Sequence, residues 1–164
     1  TVSILEIGLN RDNNKDVPSL KMWRSYFGKK AKITGFDIDE KFIKFRNMGF
    51  NILIGDLAKI NTLEKLKNNN YDVIVDDGSH ASSHQQNTLM FLWDSLNSGG
   101  YYFIEDLHWQ PFKENIEKTS FIIKQWIDGI WEPTTLIKTN WINNFKEEVS
   151  DIKLIKSKAK HHLK

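Results

Sequence analysis

The chain has no cysteine among its 164 residues. That excludes a disulfide framework and a thiolate metal site, and it leaves the compartment unmarked by redox chemistry. Long apolar runs are also missing: none approaches the ~18 residues of a membrane span. No secretory leader is visible, although the sequence starts at Thr1 and not at Met. The expectation is a cytoplasmic protein without a membrane partner. Charge of one sign is lacking too, since 23 basic against 21 acidic residues give a net +2. The basic excess sits in Asp151 to Lys164, with five lysines and two histidines against one aspartate. With no nucleic-acid module beside it, that stretch reads as a solvated terminus, and no nucleic-acid partner is expected. Glycine is scarce where dinucleotides need it. The loop Gly8-Leu9-Asn10-Arg11-Asp12-Asn13 lacks two glycines of G-x-G-x-x-G, which argues against pyrophosphate cradling and hydride transfer with NAD.

At 40% hydrophobic and 27% charged residues, the chain suits one globular domain, 1–164. Short apolar runs at Val2–Ile7, Lys32–Ile38, Asn51–Ile54, Tyr71–Val75 and Tyr101–Ile104 read as strands. Between them lie helical stretches. One opens at Pro18, buries Leu20, Trp23, Tyr26 and Phe27, and ends at Gly28. Others cover Glu40–Asn47 and Leu63–Lys67, the latter before an Asn68-Asn69-Asn70 stop. Ser82 and Ser83, each with Gln three residues later, suggest capping boxes for a helix through Leu89, Leu92, Trp93 and Leu96, closed by Gly99-Gly100. This alternation predicts an α/β fold, a doubly wound, mostly parallel Rossmann-like sheet, with a last strand expected beyond Lys164. Past Pro111 the pattern weakens. Ile116, Ser120, Ile123, Ile127 and Ile130 predict one amphipathic helix, and Thr134–Lys138 and Ile152–Ile155 are candidate strands.

Two strands end in acid. Val73-Ile74-Val75 runs into Asp76-Asp77-Gly78-Ser79-His80, and Tyr101-Tyr102-Phe103-Ile104 into Glu105-Asp106-Leu107-His108. In open α/β sheets ligands lie beyond the carboxyl ends of strands, so four carboxylates and two imidazoles are expected at one crevice. That is costly unless a cation or a reaction uses it. Asp77, Glu105 and Asp106 are hard oxygen ligands suited to Mg²⁺ or Mn²⁺. His80 is placed to take a proton from a substrate hydroxyl. The first three strands end in Gly8, in Asp37 (followed by Asp39) and in Gly55-Asp56. A strand-one glycine followed by two strand-end acids, without the dinucleotide fingerprint, fits an adenosine carrying no phosphate, of which S-adenosylmethionine is the commonest cofactor. The competing reading makes Asp37, Asp39 and Asp56 helix caps.

Ile4-Leu5-Glu6-Ile7-Gly8, Leu20 to Phe27, Thr34-Gly35-Phe36-Asp37-Ile38, Asp76 to His80 with His84-Gln85, and Gly99 to Leu107 run in an order that resembles the macrocin and mycinamicin sugar O-methyltransferases. Cephalosporin hydroxylase-like proteins share the pattern. The resemblance covers roughly Val2 to His108 and implies a class I S-adenosylmethionine-dependent methyltransferase with Mg²⁺. By that likeness Asp77, Glu105 and Asp106 match metal ligands and His80 the general base. Asp37 and Asp56 match cofactor contacts, with Glu6 and Gly8 beside the methionine part. Asp76 is grouped with the cofactor contacts, and Asp76 and His108 are both expected to act in support, through hydrogen bonds. The loop departs from the pattern in carrying Asn13-Asn14 where a Gly-Ser pair is usual. The expected substrate is a small-molecule sugar or glycoside, in a natural product or a surface polysaccharide. A phenolic or other small-molecule acceptor and an inactive Rossmann-like binding module are the alternatives. Residues 1–108 would form the cofactor and metal core, and 109–164 a part for substrate or oligomer contacts. Trp109, Trp126, Trp131 and Trp141 crowd this second part. They are read as core or homo-oligomer contact ahead of a stacking platform for a sugar.

Overall fold

The structure is a computed structural model that describes residues 1–9, 15–67 and 69–156. The polar loop beyond Leu9, including Asn13-Asn14, as well as Asn68 and residues 157–164 of the basic tail, lie outside the described residues. Five strands, β1 (Ser3–Ile7), β2 (Lys32–Asp37), β3 (Asn51–Ile54), β4 (Tyr71–Asp76) and β5 (Leu96–Ile104), pair in the order β3-β2-β1-β4-β5, all parallel. The chain winds outward from β1 to β3, then crosses back to lay β4 on the other side of β1. Ile7 consequently pairs with Phe36 on one flank and Asp76 on the other. A reversal of this kind opens a crevice at the C-terminal ends of β1 and β4.

Strand alternation sorts the core. Leu5 and Ile7 face α2 (Ile60–Lys67) and α3 (Ser82–Leu92), packing with Leu63, Leu66, Ile74 and Leu92. On the opposite face Ile33 and Ile52 pack with Leu20 of α1 (Pro18–Phe27) and with Phe42 and Phe45 of a 3-10 helical segment, Glu40–Met48. Burial on both faces explains why β1 reads as a continuous apolar run interrupted only by Glu6. A third cluster joins Leu89 to α4 (Thr119–Ile127) and α5 (Thr139–Glu148) through Ile122, Trp126, Ile142 and Phe145. No helix among the described residues is long and apolar enough to cross a membrane.

The five expected strands are present, while the connections differ in informative ways. In α1, Leu20 is buried but Tyr26 is 80% exposed, so the stripe is narrower than its spacing suggests. Ser82 and Ser83 lie inside α3, whose N-cap is Ala81, and no capping box forms. The helix stops at Leu92, and after a short 3-10 turn Leu96 already belongs to β5. Gly99, at φ +78°, takes up extra backbone where the register shifts between the Tyr71↔Leu96 and Val73↔Tyr101 pairs, and it ends no helix. The helix after Pro111 forms, but it buries Thr119, Ile122, Ile123 and Trp126, leaving Ile127 exposed. Thr134–Lys138 and Ile152–Ile155 form no strand; α5 lies between them instead.

Candidate active site

The strand ends open into a cavity of about 1140 Å³, large enough for a nucleoside-sized ligand with room beside it. Its walls include Glu6, Gly8, Asp37, Asp56, Asp77, His80, Glu105 and Asp106. Gly8 is required here for a reason the loop pattern did not suggest. At φ +87°, a Cβ on Gly8 would lie 2.0 Å from the Asp77 carbonyl oxygen. The close approach is therefore made by the backbone of the β4 loop, and it locks the ends of β1 and β4 together. Asp77 N–H donating to Ile7 O completes this seam, and Gly8 N–H donating to Phe36 O ties the same end of β1 to β2, both at 2.9 Å.

One half of the cavity is walled by Met22, Trp23, Ile38 and Leu57 with carboxylates between them. Buried Glu6 accepts from Ser19 Oγ and from Trp23 Nε1 (2.7 Å), both on α1. Burial raises its pKa, against the lowering pull of those two bonds, and Glu105 adds to the rise. Asp37 accepts from Leu9 N–H through Oδ2 (2.7 Å) and from Asp39 N–H through Oδ1 (2.9 Å). It therefore shapes the turn after β1 while lining the cavity. Asp39 accepts from Lys41 N–H and Asp56 from Ala58 N–H, both at 2.9 Å. Of the three aspartates only Asp39 caps a helix, while Asp37 and Asp56 hold turns, and all three line the cavity. Asp39 and Asp37 present adjacent carboxylates to the cavity.

In the other half, Asp77, His80 and Asp106 each offer a ligand atom within 4.8 Å of the others. His80 Nε2 lies 4.0 Å from Asp77 Oδ1. His80 (φ +60°) and Asp106 (φ +50°) are the two non-glycine residues with left-handed backbone among those described, which marks both loops as held in a costly conformation. Glu105 lines the same cavity and acts electrostatically on Asp77 and Glu6, although it stands outside the close trio. Asp76 is placed differently. It pairs with Ile7 and Ile104, is 1% exposed, and does not reach the cavity wall; its Oδ2 has no hydrogen-bond partner. It lies beneath the cavity floor. His108 is exposed, 4.0 Å from Asp106.

The charges are crowded. Asp77 is pushed up to about 7 by burial and by Glu105, Asp106, Glu6 and Asp76, and burial pushes Asp76 up to about 7. An unfolded aspartate titrates near 3.9. Between those values the folded chain binds more protons than the unfolded one. This contribution to stability is therefore complete below the unfolded value and lost as pH rises through 7. The ligand-free chain should melt several degrees higher at about pH 5.5 than at about pH 7.5, and less so in Asp77→Asn. Thermal denaturation at both pH values checks this; a melting temperature that rises with pH contradicts the crowding.

The sequence singled out Ser82, Gln85 and Gln86 as capping residues and not as the groups that hold the two acidic loops. Gln85 Nε2 donates to Glu105 O (3.2 Å), and Gln86 Nε2 to Glu117 O (2.7 Å). Ser82 Oγ accepts from Gln110 Nε2 (2.5 Å) and from Thr119 N–H (3.1 Å). Ser79 Oγ and His84 Nδ1 share a 2.6 Å bond at the cavity wall. Trp109 sets its ring edge-to-face with His80, centroids 5.3 Å apart. The one available signal was the run of polar residues, Ser82, Gln85, Gln86 and Thr88, on a helix face that is buried.

No protein-family model matches the chain. Among curated proteins it is similar to the 8-demethyl-8-(2-methoxy-alpha-L-rhamnosyl)-tetracenomycin-C 3'-O-methyltransferase of Streptomyces olivaceus. The two are 35% identical over 116 residues, which is 65% of this chain and 28% of that protein. It is 31% identical over 140 residues to the 8-demethyl-8-alpha-L-rhamnosyl tetracenomycin-C 2'-O-methyltransferase of the same organism, covering 79% of this chain and 36% of that protein. It is 30% identical to the mycinamicin VI 2''-O-methyltransferase of Micromonospora griseorubida, covering 68% and 29%. Among solved structures, the MycE methyltransferase of the mycinamycin biosynthetic pathway, in complex with Mg and SAH, superimposes with a TM-score of 0.64 at 26% identity. That match covers 84% of this chain and 39% of the other. A MycE complex with Mg, SAH and mycinamycin VI gives a TM-score of 0.57 at 29% identity, covering 65% and 30%. Sequence and fold thus agree on the same sugar O-methyltransferases, and the chain spans about a third of the length of the curated relatives it matches.

Proposed function

We propose that this chain is the catalytic region of an S-adenosylmethionine-dependent, Mg²⁺-assisted O-methyltransferase acting on a hydroxyl of a sugar or glycoside. The observation that carries the reading is that a carboxylate-edged half with apolar walls and a crowded carboxylate–imidazole half share one cavity at the β1/β4 reversal. The donor set fits a hard divalent cation: oxygen donors predominate, and Asp77 carries the repulsion of four neighbouring carboxylates. The first half fits an adenosine, with carboxylates for ribose hydroxyls and Met22, Ile38 and Leu57 for the base. When bound, S-adenosylmethionine supplies an electrophilic methyl group and Mg²⁺ a positive charge that lowers a hydroxyl pKa.

The chain's own residues do the rest. Asp77, Glu105 and Asp106 would hold the cation, with Mn²⁺ as the substitute. Asp37, Asp39 and Asp56 would orient the ribose and adenine, and Glu6 and Gly8 would lie beside the amino-acid end. Asp76 would support the floor from beneath. His80 takes the acceptor proton at Nε2, and its left-handed backbone fixes that nitrogen beside Asp77. Imidazole is a poor match for Mg²⁺, which favours this role over that of a fourth ligand. Residues 1–108 are the cofactor and metal core of one domain, 1–164. The part from 109 onward contributes acceptor or subunit contacts, and a homo-oligomer suits its aromatic content.

The test is methyl transfer from S-adenosylmethionine to a panel of free and nucleotide-linked deoxyhexoses and heptoses, read by mass. Product gaining one methyl, with turnover lost on chelation by EDTA, is expected. Turnover unaffected by EDTA contradicts the metal assignment, and no product on any acceptor contradicts the sugar assignment.

A further inference from the structure

The six tryptophans do not share one setting. Trp23 is hydrogen-bonded to Glu6, Trp126 is buried, and Trp93, Trp131 and Trp141 pack around Phe145 with the C-terminal helices. Trp109 alone is an exposed indole, 48% accessible, and it is the one in contact with the ring of His80. The loop that carries it is anchored. Trp109 N–H donates to Asp106 O (2.9 Å), and Gln110 ties the next residue to Ser82 Oγ and, at 3.5 Å, to His80 O. An exposed indole costs hydration free energy and gains nothing from the fold for the area it shows. Trp109 is not itself part of the cavity lining, but its ring contact with His80, which is, sets the indole next to that wall.

On the reading of the site given above, we propose that Trp109 is a specificity-determining residue that receives the apolar C–H face of the acceptor's pyranose ring. The separation decides which part of the acceptor it meets. The His80 and Trp109 rings are in direct edge-to-face contact, centroids 5.3 Å apart. A hydroxyl oxygen within hydrogen-bond reach of His80 therefore has its own ring, and not a distant aglycone, nearest the indole. Deoxyhexoses, whose faces carry more C–H than O–H, suit the surface best.

The experiment compares wild type, Trp109→Ala and Trp109→Phe in the full chain, using methyl α-L-rhamnopyranoside as acceptor and the free pyranose panel as reserve probes. Trp109→Ala should raise the acceptor KM about two- to tenfold, the loss expected when an aromatic contact is removed. It should change kcat less than threefold and leave S-adenosylmethionine binding, measured by calorimetry, unchanged. Trp109→Phe should recover part of the KM. An unchanged KM overturns the proposal, as does a loss confined to kcat, which would make Trp109 a support for the His80 ring only. A wild type that binds S-adenosylmethionine but methylates no pyranose contradicts the sugar-acceptor reading itself, and the indole platform falls with it. Loss of cofactor binding in Trp109→Ala shows misfolding of the site, and an unchanged KM in Trp109→Gln, which keeps bulk but no aromatic face, then overturns the proposal on its own.

Discussion

Asp77→Ala should lower methyl transfer by about 10³-fold or more while leaving the sheet intact. Asp77 is the residue on which the charges converge: burial, Glu105, Asp106, Glu6 and Asp76 all disfavour its ionised form. A protein gains nothing in stability from such a group, so its removal relieves repulsion in the ligand-free chain, and the melting temperature near pH 7.5 should hold or rise. Its cost appears only where a cation is needed. Removing one of the few hard ligands displaces the charge that stabilises the transition state, and a single such interaction is worth about 10²–10³-fold or more in rate. Single-turnover methyl transfer together with Mg²⁺ titration checks both halves. A variant that keeps a tenth of wild-type turnover, or that binds Mg²⁺ as before, contradicts the assignment.

The second large effect is expected at His80, and its backbone dictates the substitution. At φ +60° most side chains would be strained, whereas asparagine tolerates this region. His80→Asn therefore removes the base without disturbing the loop. Turnover should fall by about 10²–10⁴-fold, the usual worth of a positioned general base. Binding of Mg²⁺ and of S-adenosylmethionine should stay within about twofold. Parallel loss of Mg²⁺ affinity and turnover would instead make His80 a ligand, which its 4.0 Å approach to Asp77 and its place in the close trio would then explain.

What could be read in the sequence was what depends on local order. Apolar runs that end in acid gave β4, β5 and their carboxylates, and the order of Gly8, Asp37 and Asp56 matched three strand ends that share one cavity. Even the division between Asp76 and Asp77 was legible in principle. With a period of two, Asp76 must face the same side as Ile74, under α3, and Asp77 the opposite way. What could not be read was set by distant partners. Ser82-x-x-Gln85 has the form of a capping box, yet its side chains are claimed by Glu105, Gln110 and Thr119, which arrive 20 to 37 residues later. The face of α4 was misjudged for the same reason. Its isoleucines are spread around the helix, and packing against Leu89 and Phe145 decides which of them are buried. Trp109 was indistinguishable from Trp126 and Trp141 until the loop placed it against His80. Gly8 was singled out as a place where backbone comes close to a ligand, whereas the neighbour that a Cβ there would meet is the Asp77 backbone, which no spacing rule reveals.

The account stands most directly on the half of the cavity built from Glu6, Gly8, Asp37, Asp39 and Asp56. Calorimetric titration of the chain with S-adenosylmethionine in the presence of Mg²⁺ tests it. Binding of one equivalent in the low-to-middle micromolar range is the predicted result, and no binding at millimolar ligand would contradict it.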